Sequence, residues 1–355
     1  MKHSDKQPPL SRRQFNKLLA GSALIVGSGL IRPALAAQPG LIEAAKKEGR
    51  LNVYGDSSMV GKLADGFMKS YPDIRVATVP GGGWQTYNRM LVEKNAGRMI
   101  ADILVANDDT CLYGYEAGVF GNIESEFTAG FPPETVSGQG YIITYYMLTP
   151  IIYNTEVCKG LTLPKDWDDF IQLGDEWKDR IICADPRNSG TALYVLMALY
   201  QVLGKERATA ILSAWKRLGT EIAPNTGIQV AKLVSGEKPL SVSMHSGFLV
   251  DMKKKGAPAD FIVPASGGVM QVDAMAVPKD APHPYAARLF IDWTLGPEGS
   301  KVLAENGDYP AGSDTIAPEG LPLRKDIKLM GMGPKEALRD RDEVIEWFKT
   351  TMGIS

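Results

Sequence analysis

The sequence is poor in the residues that build metal centres and disulfide frameworks. Its 355 residues include only 3 cysteines and 3 histidines. Cys111, Cys158 and Cys183 form neither a CxxC pair nor a Cys/His spacing, so the pattern excludes a recognisable zinc site. One disulfide among the three stays open, although Cys183 lies in an apolar run where a thiol usually acts as a small buried hydrophobe. We therefore predict no metal, no cofactor and no thiol chemistry.

An excess of charge of one sign is also missing. The formal net charge of the chain is −2, so the sequence lacks the basic surplus that is typical of nucleic-acid binding proteins. Long apolar runs are absent beyond the N-terminal leader, which excludes later membrane spans. No nucleophile, base and orienting group occur together in a known motif, so we expect a binding protein and not an enzyme.

What the chain does have at its start is the pattern of an export signal. Arg12 and Arg13 precede a weakly hydrophobic run over 18–31, and small residues lead up to a cleavage site after about Ala36. This order resembles a twin-arginine signal peptide and predicts a periplasmic protein. An uncleaved membrane anchor is the alternative, but the run contains glycines and is shorter than the about 20 residues that span a bilayer.

The rest of the chain is long enough for two lobes. Strands predicted at 51–54, 74–79 and 101–105 are each followed by a polar or glycine-rich turn and then a helix. Repeated strand, turn and helix units are typical of a parallel sheet with crossover helices. Ligands of such sheets bind where the carboxyl ends of strands meet the amino ends of helices.

Later runs predict a second lobe and a return to the first. Apolar strands at 142–147 and 151–153 lead away from the first lobe, and a strand at 272–277 leads back. The expected organisation is a signal peptide (1–36), a discontinuous first lobe (38–145 and 276–330), a second lobe (146–275) and a C-terminal helical extension (331–355). The connecting segments would act as a hinge, and a surface helix is predicted over 336–349.

Three blocks of sequence, over 44–54, 167–191 and 281–310, resemble the type II periplasmic solute-binding proteins of ABC importers. That group includes ferric-ion, hexose-phosphate, phosphonate and polyamine binders. The resemblance implies an α/β fold of two lobes, each a mixed, mostly parallel sheet flanked by helices. It also implies a ligand held between the lobes and an inner-membrane ABC permease as partner. A ligand-sensing accessory protein of a membrane histidine kinase is the alternative function.

Candidate ligand contacts in the first lobe follow the predicted strands. They are Ser57, Ser58, Gly83, Trp84, Asn107 and Asp108. A glycine-rich turn before a helix exposes backbone N–H groups that suit phosphate or carboxylate. An ordinary flexible turn at 81–83 is the alternative reading.

Candidate contacts in the second lobe are Arg187, Asn188, Ser189, Thr191, Thr226, His245 and Ser246. Arg187 and the neighbouring hydroxyls would clamp an oxyanion in bidentate fashion, unless Ser189 or Thr191 only caps a helix. His245 ends a predicted strand and would donate a hydrogen bond to the ligand. His283, between two prolines, is predicted to be a solvated loop residue.

These residues favour a small organic anion, phosphorylated or carboxylated, as the ligand. Asp108 and Asp109 would also suit an amine, so aminophosphonate-like or polyamine-like ligands stay open. Ferric binders of the family use adjacent tyrosines near the place that 246–248 occupies here, and this chain has none. Its one tyrosine pair, Tyr145 and Tyr146, lies in a strand where alternation points the two side chains to opposite faces. Only a non-standard iron site would remain.

Overall fold

The protein was analysed as a computed structural model that describes residues 39–55, 57–123, 125–128 and 140–354. The predicted signal segment, 1–36, lies outside the described residues. Within them, no helix combines the length and the apolar character needed to cross a membrane.

Two mixed sheets organise the described chain. The larger, seven-stranded sheet contains β1 (Arg50–Gly55), β2 (Arg75–Pro80), β3 (Ile103–Asn107), β4 (Tyr141–Thr149), β10 (Gly268–Ala276), β11 (Tyr309–Pro310) and β12 (Leu329–Met330). Its order is β11-β4-β10-β3-β1-β2, with β12 beside β10. The five-stranded sheet contains β5 (Ile151–Asn154), β6 (Ile181–Ala184), β7 (Glu221–Ala223), β8 (Leu240–Ser241) and β9 (Ala259–Ile262), in the order β7-β6-β8-β5-β9.

Helices flank both sheets. The first lobe carries α1 (Pro39–Glu48), α2 (Ser57–Ser70), α3 (Gly83–Asn95), α4 (Asp108–Glu116), α10 (Pro284–Leu295) and α11 (Pro297–Glu305). The second carries α5 (Asp169–Gln172), α6 (Gly190–Ala198), α7 (Lys205–Arg217), α8 (Thr226–Ser235) and α9 (Ser246–Lys254), and α12 (Pro334–Met352) ends the chain. The predicted α/β fold with two lobes is confirmed, and β1 pairs in parallel with β2 and β3.

Aromatic side chains fill the centre of each lobe. Phe67 of α2 meets Phe290 and Trp293 of α10 edge-on, with ring centroids 5.1 and 5.8 Å apart. In the second lobe Phe170 packs edge-on against Trp215 at 5.8 Å. Edge-on ring pairs stabilise the folded state beyond the contribution from burying the rings.

The strands that join the lobes differ in extent from the prediction. β4 and β10 pair antiparallel within the larger sheet from Tyr141 and Ala276 to Thr149 and Val269. The chain therefore changes sheet at 150 and between 262 and 268, whereas the predicted limits, 145/146 and 275/276, fall inside these strands. The predicted exit from the first lobe thus lies a few residues before the change of sheet and the predicted return lies several residues after it, because an apolar run does not show where its pairing partner ends.

Segment 167–177 forms only α5 and one 3-10 turn, since Leu173 and Gly174 are extended. Two local predictions also need correction. The strand predicted to end at His245 pairs only at β8. His283 is buried and not solvated: its backbone N–H donates to Asp102 at 2.7 Å and its Nδ1 lies 2.9 Å from the same carboxylate.

α12 has one buried face and packs on α4, α6 and α7, so it touches both lobes. Val344, Trp347 and Phe348 are buried in this face. The sequence suggested a surface helix because polar residues separate these apolar positions. Helical spacing places the apolar positions together on one side.

We predict that Phe348→Ala lowers the free energy of unfolding by about 3–5 kcal/mol, because it removes a fully buried ring and leaves a cavity. Urea denaturation followed by tryptophan fluorescence measures this change. Asp342→Ala, at an exposed position of the same helix, should change it by less than about 0.5 kcal/mol. Equal effects of the two substitutions would contradict the packing of α12.

Candidate functional site

A cavity of about 240 Å³ lies where the two lobes face each other. The first lobe contributes Met59, Lys62, Gly82, Gly83, Val105, Ala106, Asn107, Tyr145, Met147, Gln271, Asp273, Asn306 and Asp308 to its wall. The second lobe contributes Asn188, Ser189, Gly190, Thr191, Thr226, His245, Gly247, Phe248 and Asp251. Both lobes thus share one partly open cavity, at the carboxyl ends of β3 and β6 where ligand sites of α/β sheets are expected.

Side chains of β4 and β10 form one part of the wall. Tyr145 and Met147 alternate along β4, and Asp273 and Gln271 are their paired neighbours on β10. Since every second residue of a strand points to the same face, these four side chains share a face of the sheet. Asn107, at the end of β3, donates from Nδ2 to Asp273 Oδ1 at 3.0 Å.

Four helices begin at the cavity. Gly83 of α3, Gly190 of α6, Thr226 of α8 and Gly247 of α9 are first-turn residues that line it. The first turn of a helix has backbone N–H groups without intrahelical partners and carries the positive end of the helix dipole. Several such ends around one cavity favour a negatively charged or strongly accepting ligand group.

Capping side chains hold the second-lobe helices in place. Ser189 Oγ accepts from Ala192 N at 3.3 Å, and Asn225 Oδ1 accepts from Ile228 N at 3.0 Å. His245 Nδ1 accepts from Gly247 N at 3.2 Å, so this ring also caps a helix. The capping reading of Ser189 is therefore correct, and the residue lines the cavity as well.

Direct contacts join the lobes around the cavity. Lys62 Nζ of α2 lies 3.3 Å from Asp251 Oδ1 of α9. Ser246 Oγ donates to the Gly307 carbonyl at 2.6 Å. Gly307 has φ +95°, and a Cβ there would lie 2.7 Å from Gly247 Cα, so only glycine fits this approach. These contacts hold the two walls together in the arrangement described.

The structure brings many of the predicted site residues together. Gly83, Asn107, Asn188, Ser189, Thr191, Thr226 and His245 line the cavity. Ser57 and Ser58 begin α2, but their side chains are outside the described part of the chain.

Four predicted residues do not line the cavity. The ring of Trp84 packs against Tyr87 and Tyr113. Ser246 is used in the contact with Gly307. Asp108 is buried behind the wall, and Arg187 is turned to Asp185.

The case of Arg187 changes the expected chemistry. Its Nη2 lies 2.8 Å from Asp185 Oδ2, and its Nε donates to the same carboxylate at 3.0 Å. This guanidinium holds the pKa of Asp185 below its usual range against the opposing effect of burial. The predicted oxyanion clamp by Arg187 is therefore replaced by a local ion pair beside the cavity.

Sequence reasoning missed the polar residues of β10 and of the loop after α11. Gln271 and Asp273 could have been predicted from the sequence, because two polar residues at alternate positions interrupt a strand that is otherwise apolar. No sequence signal marks Lys62, Asp251 or Asp308. The first two resemble ordinary exposed residues of amphipathic helices, and Asp308 lies in a connecting loop.

Asp108 connects the lobes behind the cavity. Tyr194 OH of α6 donates to its Oδ1 at 2.8 Å, as does the N–H of Asp109 at 2.9 Å. Burial raises the pKa of Asp108 to about 7, and the charges of Asp109 and Asp273 act in the same direction, while the Tyr194 hydroxyl opposes them. This carboxyl therefore changes charge near neutral pH.

The described residues offer no ready metal centre. No group of three or more His, Cys, Asp or Glu side chains among them is arranged to hold a metal ion. Tyr145 lines the cavity, whereas Tyr146 lies on the other side of the sheet under the Arg324 guanidinium, 4.4 Å from its ring centre. The expected divergence of this tyrosine pair is confirmed.

Comparison with known proteins agrees with this geometry. The family described as "Bacterial extracellular solute-binding protein" matches residues 99–332, more than half of the chain. The chain belongs to this family. Members of this family bind small solutes outside the cytoplasm.

Similar proteins support the same fold. This solute-binding protein is 27% identical over 309 residues to an uncharacterized protein from Haemophilus influenzae, covering 83% of this chain and 84% of that relative. Iron-bound HitA from Pseudomonas aeruginosa has a TM-score of 0.72 and 21% identity, covering 85% of this chain and 99% of HitA. AfuA from Actinobacillus pleuropneumoniae, with exogenous fructose-6-phosphate bound, has a TM-score of 0.71 and 21% identity, covering 86% of this chain and 99% of AfuA.

We predict that Asp108→Asn becomes more stabilising as the pH rises from 5 to 8. The folded-state pKa of Asp108, about 7, exceeds the unfolded value of 3.8, so the native protein holds an extra proton between these values. The associated stability is lost as the pH rises through this window. Asparagine keeps an oxygen acceptor and cannot ionise. Between pH 5 and pH 8 the gain is at most about 3 kcal/mol, because about two pH units separate pH 5 from the folded-state pKa and each corresponds to about 1.4 kcal/mol.

Urea denaturation of both proteins at pH 5 and pH 8 measures this difference. The control is Asp342→Asn at an exposed position, which should stay within about 0.5 kcal/mol of the wild type at both pH values. An Asp108→Asn difference that is the same at pH 5 and pH 8 would show that Asp108 does not titrate as described.

Proposed function

We propose that this protein is the substrate-binding component of an ABC importer and captures a small solute between its lobes for delivery to an inner-membrane permease. The observation that carries the proposal is the cavity between the lobes, whose wall is formed by residues of both. A ligand that touches both walls stabilises the arrangement in which they meet, because it binds that state better than an open one. A permease would then recognise the ligand-bound state.

The solute is proposed to carry an anionic group, phosphate or carboxylate. Four helix amino ends at the cavity supply backbone donors, and the hydroxyls of Ser189, Thr191 and Thr226 lie on the same wall. Such donors bind oxyanions without an arginine. The protein is further proposed to reach the periplasm by the twin-arginine route, with cleavage after about Ala36.

The alternatives draw less support from the described residues. An iron site of the type with two adjacent tyrosines has no counterpart, since Tyr145 and Tyr146 lie on opposite sides of their sheet. No motif of the sequence groups a nucleophile with a base and an orienting partner. A binding role without chemistry fits best.

We predict that Thr191→Val weakens binding of an anionic solute about five- to tenfold, because it removes one hydroxyl donor at the start of α6. Arg187→Ala should change the affinity less than twofold, since Arg187 does not line the cavity. Isothermal titration calorimetry, after a thermal-shift screen of phosphorylated and carboxylated metabolites, provides the measurement. A larger loss of affinity for Arg187→Ala than for Thr191→Val would support Arg187 as the oxyanion clamp. It would contradict the proposal that Thr191 contacts the solute and Arg187 does not.

The transport role needs a separate test. A strain without the gene should take up the solute found in the screen at least about tenfold more slowly, and the purified protein should retain the permease in a pull-down. Normal uptake with loss of a transcriptional response would instead support the sensing role. Turnover of the solute by the purified protein would overturn the proposal of a binding protein.

A further inference from the structure

The wall of the cavity holds more carboxylates than cations. Asp251, Asp273 and Asp308 line it, and Lys62 is the one lysine or arginine on the described wall. Lys62 already contacts Asp251 at 3.3 Å. A wall of this composition opposes a ligand whose only charge is negative, and it favours a ligand that also brings a positive group.

Gln271 shows where such a group would bind. This side chain is only 6% exposed and lies on the cavity wall. Its Oε1 is buried and has no hydrogen-bond partner among the described residues. A buried amide oxygen without a donor is costly, and binding proteins leave such groups for their ligands. The missing partner must be a hydrogen-bond donor.

Asp273 lies two residues further along the same strand and on the same face. Its Oδ1 accepts from Asn107 Nδ2 at 3.0 Å. A carboxylate has about four acceptor positions and can serve several donors at once, so the contact with Asn107 is compatible with a ligand donor at the same group. Alternate Cα atoms of a strand are about 7 Å apart. An ammonium nitrogen about 2.9 Å from each of two acceptors joins oxygens at most about 5.8 Å apart, so the Gln271 and Asp273 side chains, which extend to the same side of the strand, have to converge on it.

We infer that Gln271 and Asp273 form a subsite for an ammonium group, so that the solute is a small zwitterion with an amine beside its phosphate or carboxylate. This inference rests on the proposed function and names the solute class of the same cavity. Gln271 Oε1 accepts one ammonium N–H, and Asp273 accepts another and supplies the opposite charge. The helix amino ends take the oxyanion.

The test compares pairs of compounds that differ only in the amine. The pairs are phosphoethanolamine with 2-hydroxyethyl phosphate, glucosamine 6-phosphate with glucose 6-phosphate, and serine with glycerate, and ethanolamine serves as an amine without an anionic group. We expect the amine of at least one pair to bind at least about tenfold more tightly than its hydroxyl partner in calorimetry. A charge-assisted hydrogen bond corresponds to a preference of this size.

Two variants locate the preference. Asp273→Asn should abolish the amine preference, so that the amine and its hydroxyl partner bind with affinities within about threefold of each other. Gln271→Met should weaken amine binding about tenfold and raise the Tm of the ligand-free protein by about 2–4 °C, because it removes an unsatisfied buried oxygen. A merely structural glutamine would not combine lower affinity with higher stability.

Thr149→Val is the matched control. Thr149 lies in the adjacent strand β4, its Oγ1 is also buried without a partner among the described residues, and it does not line the cavity. This substitution should raise the Tm and leave every affinity unchanged. If Thr149→Val altered the amine preference as Gln271→Met does, the effect would belong to the sheet and not to the subsite.

The outcomes separate the two proposals. Hydroxyl compounds that bind as tightly as their amine partners, or an amine preference that survives both variants, would overturn the ammonium subsite and leave the anionic solute in place. Tight binding of ethanolamine alone would support the subsite and overturn the anionic group. Absence of binding by every phosphorylated and carboxylated compound, with ethanolamine also inactive, would overturn both.

Discussion

The antiparallel pairing of β4 with β10 is the constraint on which the rest of this structure depends. β4 leads into β5 and so carries the chain out of the larger sheet. β10 follows β9 and brings the chain back into it. The same pair presents Tyr145, Met147, Gln271 and Asp273 on one face at the cavity. A shift of one residue in their register would turn all four side chains away from it. The connection between the lobes and the composition of the site are therefore fixed by one set of hydrogen bonds.

The contacts between the lobes follow from that connection. Because only short segments join the sheets, the lobes can meet through a few specific groups: the ion pair of Lys62 with Asp251, the hydrogen bond from Tyr194 to Asp108, and the approach of Gly247 to Gly307. Each pair has one member in each lobe. α12 adds a longer contact behind the cavity, since it packs on α4 of the first lobe and on α6 and α7 of the second. A motion that opens the cavity would have to break or slide these contacts, so they set the balance between open and closed arrangements.

The electrostatics of the cavity combine two features that a solute with a single charge would not need. Helix amino ends favour an oxyanion, and acceptors on β10 favour a donor with positive charge. Asp108 and Asp109 lie buried behind this wall, where burial raises the pKa of both carboxyls. Partial neutralisation of Asp108 near neutral pH reduces the repulsion that an anionic group would otherwise meet. The arrangement selects a ligand by the pattern of its charges and not by its net charge alone.

Local features of the sequence determined the architecture and half of the site. The repeated strand, turn and helix units gave the parallel part of the larger sheet. Helix starts with glycine or hydroxyl residues identified Gly83, Ser189, Thr191 and Thr226, because a helix amino end is defined by neighbours in the sequence. Strand register and lobe boundaries depend on residues distant in the sequence and could not be read in the same way.

Only the tertiary structure decided which polar residues face the cavity. Asp102 buries His283, and strand pairing brings Gln271 and Asp273 beside Asn107. The sequence alone determined a solute-binding fold with two lobes, since periodicity and block order are local properties. The charge of its binding site was settled by contacts between segments more than a hundred residues apart, and a linear pattern does not encode such contacts directly.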